Sequence, residues 1–255
     1  MWDPAKYLDF GDLRARPFYD LVGRVRAEQP SRVADLGCGP GNLTAELVKR
    51  WPEAVVEALD GSPDMVAAAR EAGVDAKVGD VRDWSPAPDT DVVVSNAVLH
   101  WVPGHQDLLR RWVGELREGA WLAMQVPANF AAPSHELTRR LAGSPRWVSR
   151  LGDVVLREDD AVGEPGDYAE LFADLGCAVD VWETTYLQRL TGENAVLEWI
   201  SGTALRPVRA ALEPREWETF RGQLADLLAE VYPRREDGTT WFPFRRIFAV
   251  ARVPG

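Results

Sequence analysis

The sequence predicts an α/β fold in which a doubly wound, mostly parallel sheet carries an inserted helical cap. Strand-like runs alternate with helical patterns through the first half of the chain, and a glycine-rich loop joins the first strand to the first helix. After Val126 that alternation is broken by prolines, which marks the insertion.

Val33–Leu36 is a short apolar run that ends in Gly37-Cys38-Gly39-Pro40-Gly41. Asn42–Trp51 comes next with Leu43, Leu47 and Val48 at helical spacing, and Pro52 closes it. Val55–Leu59 reads as a second strand, Pro63–Ala72 as an alanine-rich helix started by Pro63 and stopped by Gly73, and Ala76–Val78 as a third strand. Asp91–Ser95 carries Val92-Val93-Val94, suited to a strand buried on both faces. Gln106–Leu116 reads as a helix and Trp121–Val126 as the next strand.

Pro127, Pro133, Pro145 and Pro165 interrupt the next forty residues, leaving Ser134–Leu141 and Tyr168–Leu175 as helical candidates. The strand signal returns at Ala178–Thr184, Glu193–Leu205 and Pro214–Val231 have the spacing of amphipathic helices, and Arg246–Val253 supplies a last strand that returns to the same sheet. Residues 1–255 are read as one domain. Its core is about 30–126, 167–184 and 246–253, its cap about 127–166 and 185–245, and an N-terminal lid covers 1–20.

Composition narrows the function classes. The chain is 46% apolar and 27% charged, close to an ordinary soluble globular protein. No run approaches the ~20 apolar residues that span a bilayer, and Met1-Trp2-Asp3-Pro4 lacks a basic segment leading into an apolar one, so a cytoplasmic protein with no membrane partner is expected. A net charge of -11 argues against nucleic acid as partner. It leaves room for a small anion, because screening over about 8 Å lets a local arginine cluster act. Two cysteines and three histidines offer neither a disulfide framework nor a metal site, and Cys38 reads as a small loop residue rather than a nucleophile. The oligomer is open between monomer and weak dimer.

In a doubly wound sheet, ligands bind outside the carboxyl ends of the strands, where a strand-to-helix loop presents backbone N–H groups. Gly37, Gly39 and Gly41 fall there. The dinucleotide fingerprint G-x-G-x-x-G would place its third glycine at Asn42, whereas here it comes one residue early, with Asp35 two residues before the first. That spacing resembles motif I of class I methyltransferases, which implies a Rossmann-like fold and S-adenosylmethionine as cofactor, Asp35 helping to hold its amino-acid end.

Asp60 ends the second strand, where a carboxylate accepts from ribose hydroxyls or merely precedes the next helix, with Ser62 or Asp64 as alternative caps. Methyltransferases place an acid, here Asp80, after the third strand to accept from the adenine amino group. Ser62, Met65, Val81 and Asn96, which lie beyond the ends of these strands, complete the expected cofactor set. The fourth strand runs into Ser95-Asn96-Ala97-Val98-Leu99-His100-Trp101, making His100 and Trp101 candidates for positioning the reacting groups. Packing alone is the other reading of both.

Taken together, Trp2-Asp3-Pro4-x-x-Tyr7-x-x-Phe10, Arg14-Ala15-Arg16-Pro17, Asp35–Thr44, Ser95–His105, Gln125–Asn129, Glu198–Thr203 and Phe242–Arg246 resemble the trans-aconitate 2-methyltransferase family almost end to end. Gly61 departs from its pattern, which has serine after the ribose acid. The resemblance implies methyl transfer to one carboxylate of a small anionic polycarboxylate. A carboxylate is already ionised at neutral pH, so no general base is required. Planar guanidinium groups suit the carboxylates that do not react, and Arg245, Arg246, Arg206 and Arg16 are the candidates, Arg16 equally for the cofactor carboxylate. Trp2, Tyr7, His100, Asn129 and Trp199 complete the expected substrate set. A phenol, amine or carbon acid as acceptor, with His100 as base, a non-catalytic cofactor-binding module and a nicotinamide dehydrogenase are the competing readings.

Overall fold

The computed structural model describes residues 11–156 and 161–255. Trp2, Tyr7 and the first half of the expected lid lie outside the described residues.

Two compact units divide the chain, residues 1–127, 162–184 and 246–255 forming the first and residues 128–161 and 185–245 the second. Among the described residues the first holds α1 (Gly11–Val22) and then β1 (Arg32–Leu36), β2 (Val55–Asp60), β3 (Ala76–Val78), β4 (Thr90–Asn96) and β5 (Trp121–Pro127). With β6 (Ala178–Thr191) and β7 (Thr239–Arg252) they form a seven-stranded sheet in the order β3-β2-β1-β4-β5-β7-β6. Neighbouring strands from β3 to β5 are parallel, and β7 runs antiparallel to β5. Val92, Val93 and Val94 are wholly buried, as a central parallel strand requires. Strand order reverses between β1 and β4, and the carboxyl ends of those strands form the crevice such sheets use for ligands.

The helices of this unit start on recognisable signals. α2 (Thr44–Arg50) comes after the glycine loop, and α3 (Pro63–Glu71) has Pro63 in its first turn and Ser62 as N-cap, accepting from the Met65 N–H. α4 (His105–Glu115) begins after Gly104. Between α4 and the later α7 (Pro165–Asp174), His105 Nε2 and the Tyr168 hydroxyl lie 2.8 Å apart, both side chains buried.

The second unit holds α5 (Pro133–Ala142), α6 (Val148–Leu151), α8 (Ala195–Ser201), α9 (Arg206–Ala211), α10 (Pro214–Val231) and the continuing halves of β6 and β7. α10 buries Trp217, Phe220, Leu224 and Leu228, one stripe of its surface, and Phe220 meets the edge of Trp147 at 5.4 Å.

Several features differ from the sequence reading, among them the helices Gly11–Val22 and Val148–Leu151, which it did not contain. The strand expected at Ala178–Thr184 continues to Thr191, with Tyr186, Gln188 and Leu190 buried on alternate positions. The last strand begins at Thr239 rather than Arg246. Pro243 was its apparent barrier, but the ladder with β5 covers only Arg246–Arg252, so at Pro243 that side of β7 has no β5 acceptor to serve. The helix expected over Glu193–Leu205 is confined to Ala195–Ser201 by Gly202 at its C-cap, and α9 is separate from it. Among the described residues no helix is long and apolar enough to cross a membrane.

Candidate active site

The glycine loop is folded by its own backbone. Gly37 and Cys38 donate their N–H groups to the Leu59 carbonyl at 2.7 and 2.9 Å, Gly41 donates to the Cys38 carbonyl at 3.1 Å, and Gly39 donates to Asp60 Oδ2 at 2.9 Å. The expectation that these N–H groups face a ligand is therefore corrected. They are used inside the protein. All three glycines have positive φ, and Gly41 also lies where a Cβ would be 2.9 Å from that of Ala69 on α3. A Cβ at Gly39 would meet nothing within 4 Å, so the crest of the loop is open.

Below the loop, Asp35 is buried on β1 and accepts from Thr44 Oγ1 at 2.6 Å, which ties the strand to the first turn of α2. Burial pushes its carboxyl up to about 6 against the opposing effect of that bond, and the nearby Asp60 charge adds to the rise. Burial likewise pushes the Cys38 thiol upward, which makes it a poor nucleophile.

Asp60, half-buried at the end of β2, takes the Gly39 N–H on one oxygen and the Ser62 N–H on the other, at 2.9 and 2.8 Å. Burial raises its pKa while those two bonds hold it down. Each oxygen keeps a lone pair for a further donor. Asp80 differs: the Arg82 guanidinium bonds both its oxygens, at 2.9 and 2.5 Å, and holds its pKa down at about 2. Met65 and Val81 are buried, and Ser62 is half-buried.

At the ends of β4 and β5 a polar chain crosses the sheet. Asn96 Oδ1 accepts from Gln125 Nε2 at 2.8 Å, and Gln125 Oε1 accepts from Arg246 Nη1 at 3.0 Å. Ala97, the next residue, has φ of 58°, a left-handed conformation that L residues other than glycine seldom adopt, and its N–H donates to the Gln125 carbonyl at 2.9 Å. His100 is buried and Trp101 partly exposed on the short 3-10 turn beyond it, with ring centroids 5.0 Å apart.

Sequence reasoning missed Gln125 and the strain at Ala97. The first is legible only once the register Asn96↔Gln125 is known, and the second has no signature in an alanine.

The remaining expected residues lie elsewhere. Arg16 is exposed on α1. In the second unit, Asn129 is buried and its Nδ2 has no hydrogen-bond partner among the described residues. Trp199 is buried in an aromatic cluster, 6.1 Å from Phe242 and 5.7 Å from Phe244. Arg206, half-buried at the start of α9, has its pKa drawn down by desolvation. Arg245 is half-buried, and its carbonyl accepts from the Ala128 N–H at 3.0 Å.

Residues 33–119, from β1 past the glycine loop and β4 to α4, match the family model described as "Methyltransferase domain". Over 253 residues the chain is 65% identical to trans-aconitate 2-methyltransferase of Rhodococcus jostii (strain RHA1), covering 99% of this chain and all of that one. It is 63% identical to that of Mycolicibacterium gilvum (strain PYR-GCK), covering 99% of both chains. The chain belongs to the trans-aconitate 2-methyltransferase family.

Solved structures place this family member in the Rossmann-like class I methyltransferase fold. The YcgJ protein of Bacillus subtilis matches with a TM-score of 0.60 at 14% identity, over 94% of this chain and 99% of that one. A Haemonchus contortus phosphoethanolamine N-methyltransferase in complex with S-adenosyl-L-methionine matches with a TM-score of 0.54 at 15% identity, over 96% of this chain and 53% of that one. For a trans-aconitate 2-methyltransferase family member, the described site is notable for what joins its strands: β1 and β2 through Asp60 and the glycine loop, β4, β5 and β7 through Gln125.

Proposed function

We propose that this chain transfers a methyl group from S-adenosylmethionine to a carboxylate of trans-aconitate, giving a monomethyl ester. The observation that carries the reading is the family membership of nearly the whole chain, and two groups four strands apart in the sheet suit it: the Asp60 carboxylate at the end of β2 and the buried Arg246 guanidinium of β7. Similarity to the Rhodococcus and Mycolicibacterium relatives over nearly the whole chain supports the choice of substrate.

The residues present fit the cofactor. The crest at Gly39 is open, Asp60 would accept from a ribose diol, and Val81 and Met65 would face the adenine. Asp80 would accept from the adenine amino group while Arg82 keeps it ionised. Asp35 would act on the amino-acid end through the loop it braces at Thr44, and Asn96 from the end of β4. Arg16 would serve the cofactor carboxylate.

S-adenosylmethionine supplies an electrophilic methyl group on a sulfonium. The chain has only to bind, orient and exclude water. Arg246, Arg245 and Arg206 would hold the carboxylates that do not react, with Asn129 Nδ2 as a buried donor, and Trp2, Tyr7 and Trp199 as further substrate contacts. His100 and Trp101 would position the reacting oxygen. Orientation of this kind contributes roughly 7–11 kcal/mol in favourable cases. The reading takes the protein as cytoplasmic, a monomer or weak dimer, without metal, nucleic acid or membrane.

Incubation with S-adenosylmethionine and trans-aconitate, with mass spectrometry as the readout, should give a product heavier than trans-aconitate by one methylene. No such product under conditions where S-adenosylhomocysteine binds would overturn the proposal.

A further inference from the structure

We infer that Arg111 is a positioning residue for the cofactor, holding the loop after β3 so that Asp80 selects adenine. The inference rests on the proposed function, in which Asp80 accepts from the adenine amino group.

Arg111 lies on α4, and its Nη2 donates to two main-chain carbonyls of one loop, those of Arg82 and Trp84, each at 2.8 Å. The two N–H bonds of a single guanidinium nitrogen thus bracket Asp83. On the same side chain, Nε lies 3.9 Å from Glu115 Oε1, about one helical turn further along α4. The next residue of the helix grips the loop by packing. Trp112 is wholly buried, the ring of Trp84 meets it edge to face at 5.6 Å, and Trp84 Nε1 donates to Glu57 Oε1 on β2 at 3.3 Å. Trp84 is therefore anchored by its ring and, through Arg111, by its carbonyl.

Asp80 depends on what Arg111 holds. Among the described residues every hydrogen bond to its carboxylate comes from Arg82: the N–H at 2.8 Å on Oδ1, and the guanidinium on both oxygens. Its carbonyl accepts from the Asp83 N–H at 3.0 Å. The aim of the carboxylate is set by where Arg82 sits. The Arg82 side chain is 65% exposed, and an ion pair between exposed groups fixes little by itself. The bond from Arg111 to the Arg82 carbonyl ties that pair to α4, which makes a local contact into an acceptor of fixed direction.

Calorimetry with S-adenosylhomocysteine and with S-inosylhomocysteine, which has an oxo group in place of the adenine amino group, reads this role. The parent should bind the adenine form about tenfold or more tightly, since the oxo group offers Asp80 no donor at that position. Arg111→Met keeps a good helix former and an apolar stem and loses both bonds to the loop. It should bind S-adenosylhomocysteine about fivefold more weakly and S-inosylhomocysteine nearly as the parent does, so that the ratio falls to about twofold. A merely structural role would weaken both ligands alike. Arg110→Met makes the same charge change on a neighbour bonded to Asp107, and should keep the parental ratio. A parental ratio in Arg111→Met would overturn the inference, as would an equal loss for both ligands. Should Arg111→Met not fold, Arg111→Gln, whose amide ends two bonds short of Nη2, decides on the same readout, and a parental ratio there overturns it. A parent that does not distinguish the two ligands refutes the adenine role of Asp80 and the inference with it. A parent that does, with its ratio unchanged in Arg111→Met, refutes the inference alone.

Discussion

The side chain of Val98 rests on the Cα of Gly37: a Cβ built on that glycine would lie 2.0 Å from Val98 Cγ2. The segment after β4 thus covers the first residue of the glycine loop, and no side chain fits between them. Gly37 also has φ of 88°, so Gly37→Ala adds backbone strain to the clash. Gly37→Ala should lower the melting midpoint and weaken S-adenosylhomocysteine binding at least about tenfold. Val98→Ala in the same chain removes the clash alone and should restore part of the stability. A double variant no more stable than Gly37→Ala would show that Val98 is not the obstacle.

Asp60 joins the loop to the next strand through Gly39 and Ser62. Asp60→Ala should weaken S-adenosylhomocysteine about tenfold or more in calorimetry, since both diol acceptors go at once. Asp60→Asn keeps one acceptor oxygen and should fall between. Equal affinity in Asp60→Ala and parent would remove the ribose role.

The buried Asp35 gives stability a pH dependence of definite sign. Burial lets the folded chain hold this proton up to about pH 6, whereas the unfolded chain releases it near 4. Between those values the folded state binds more protons, so the contribution of Asp35 is fully present below about pH 4 and is lost as pH rises through about 6. Asp35→Asn keeps an acceptor for Thr44 and removes this slope. Its melting midpoint should exceed the parent's above pH 6, with the gap closing towards pH 4. His105, whose pKa burial lowers, acts in the opposite sense, destabilising the fold as pH drops below its ordinary value. That effect is common to both proteins and cancels in the difference. A gap independent of pH would refute the assignment.

Much of the fold is legible from periodicity. The runs at Val33–Leu36, Val92–Val94 and Leu122–Val126 are buried on both faces because each lies inside the sheet. The extra length of β6 and β7 is not legible in the same way, since Pro243 is a strand breaker until one knows that β5 has already ended. The acids at Asp35, Asp60 and Asp80 are visible as strand-end residues. Their partners are not: Arg82 on Asp80, Thr44 on Asp35 and Gln125 on Arg246 each depend on which rotamer and register the packed chain selects. Trp199 illustrates the reverse problem, because a tryptophan in a motif gives no sign of whether its ring will meet a ligand or Phe244.

Neighbouring residues of a strand point to opposite faces, so Arg245 and Arg246 do not present their guanidinium groups to the same side of β7. Arg246 shares its face with Gln125 and Asn96. Arg246→Ala should raise the KM for trans-aconitate about tenfold or more, with S-adenosylhomocysteine affinity near parental. Arg245→Ala should raise KM by less. Unaltered kinetics in Arg245→Ala would remove that residue from the substrate set, and unaltered kinetics in Arg246→Ala would remove the central charge of the proposal.

The acceptor itself fixes the pH dependence of turnover. A carboxylate with an ordinary pKa near 4 is ionised across the neutral range, so kcat at saturating substrates should be flat from about pH 6.5 to 8. A phenol or amine acceptor needs a base, and His100, on the turn that begins beyond Ala97, is the side chain that would provide it. Such a reaction would show an ascending limb that disappears in His100→Gln. Titration of Asp35 near 6 is separable from either, because it acts on the glycine loop and should appear in cofactor affinity rather than in kcat at saturation. A flat kcat profile that survives in His100→Gln, at whatever reduced level, supports attack by a carboxylate already charged. An ascending limb lost in His100→Gln would replace trans-aconitate with an acceptor that must first give up a proton.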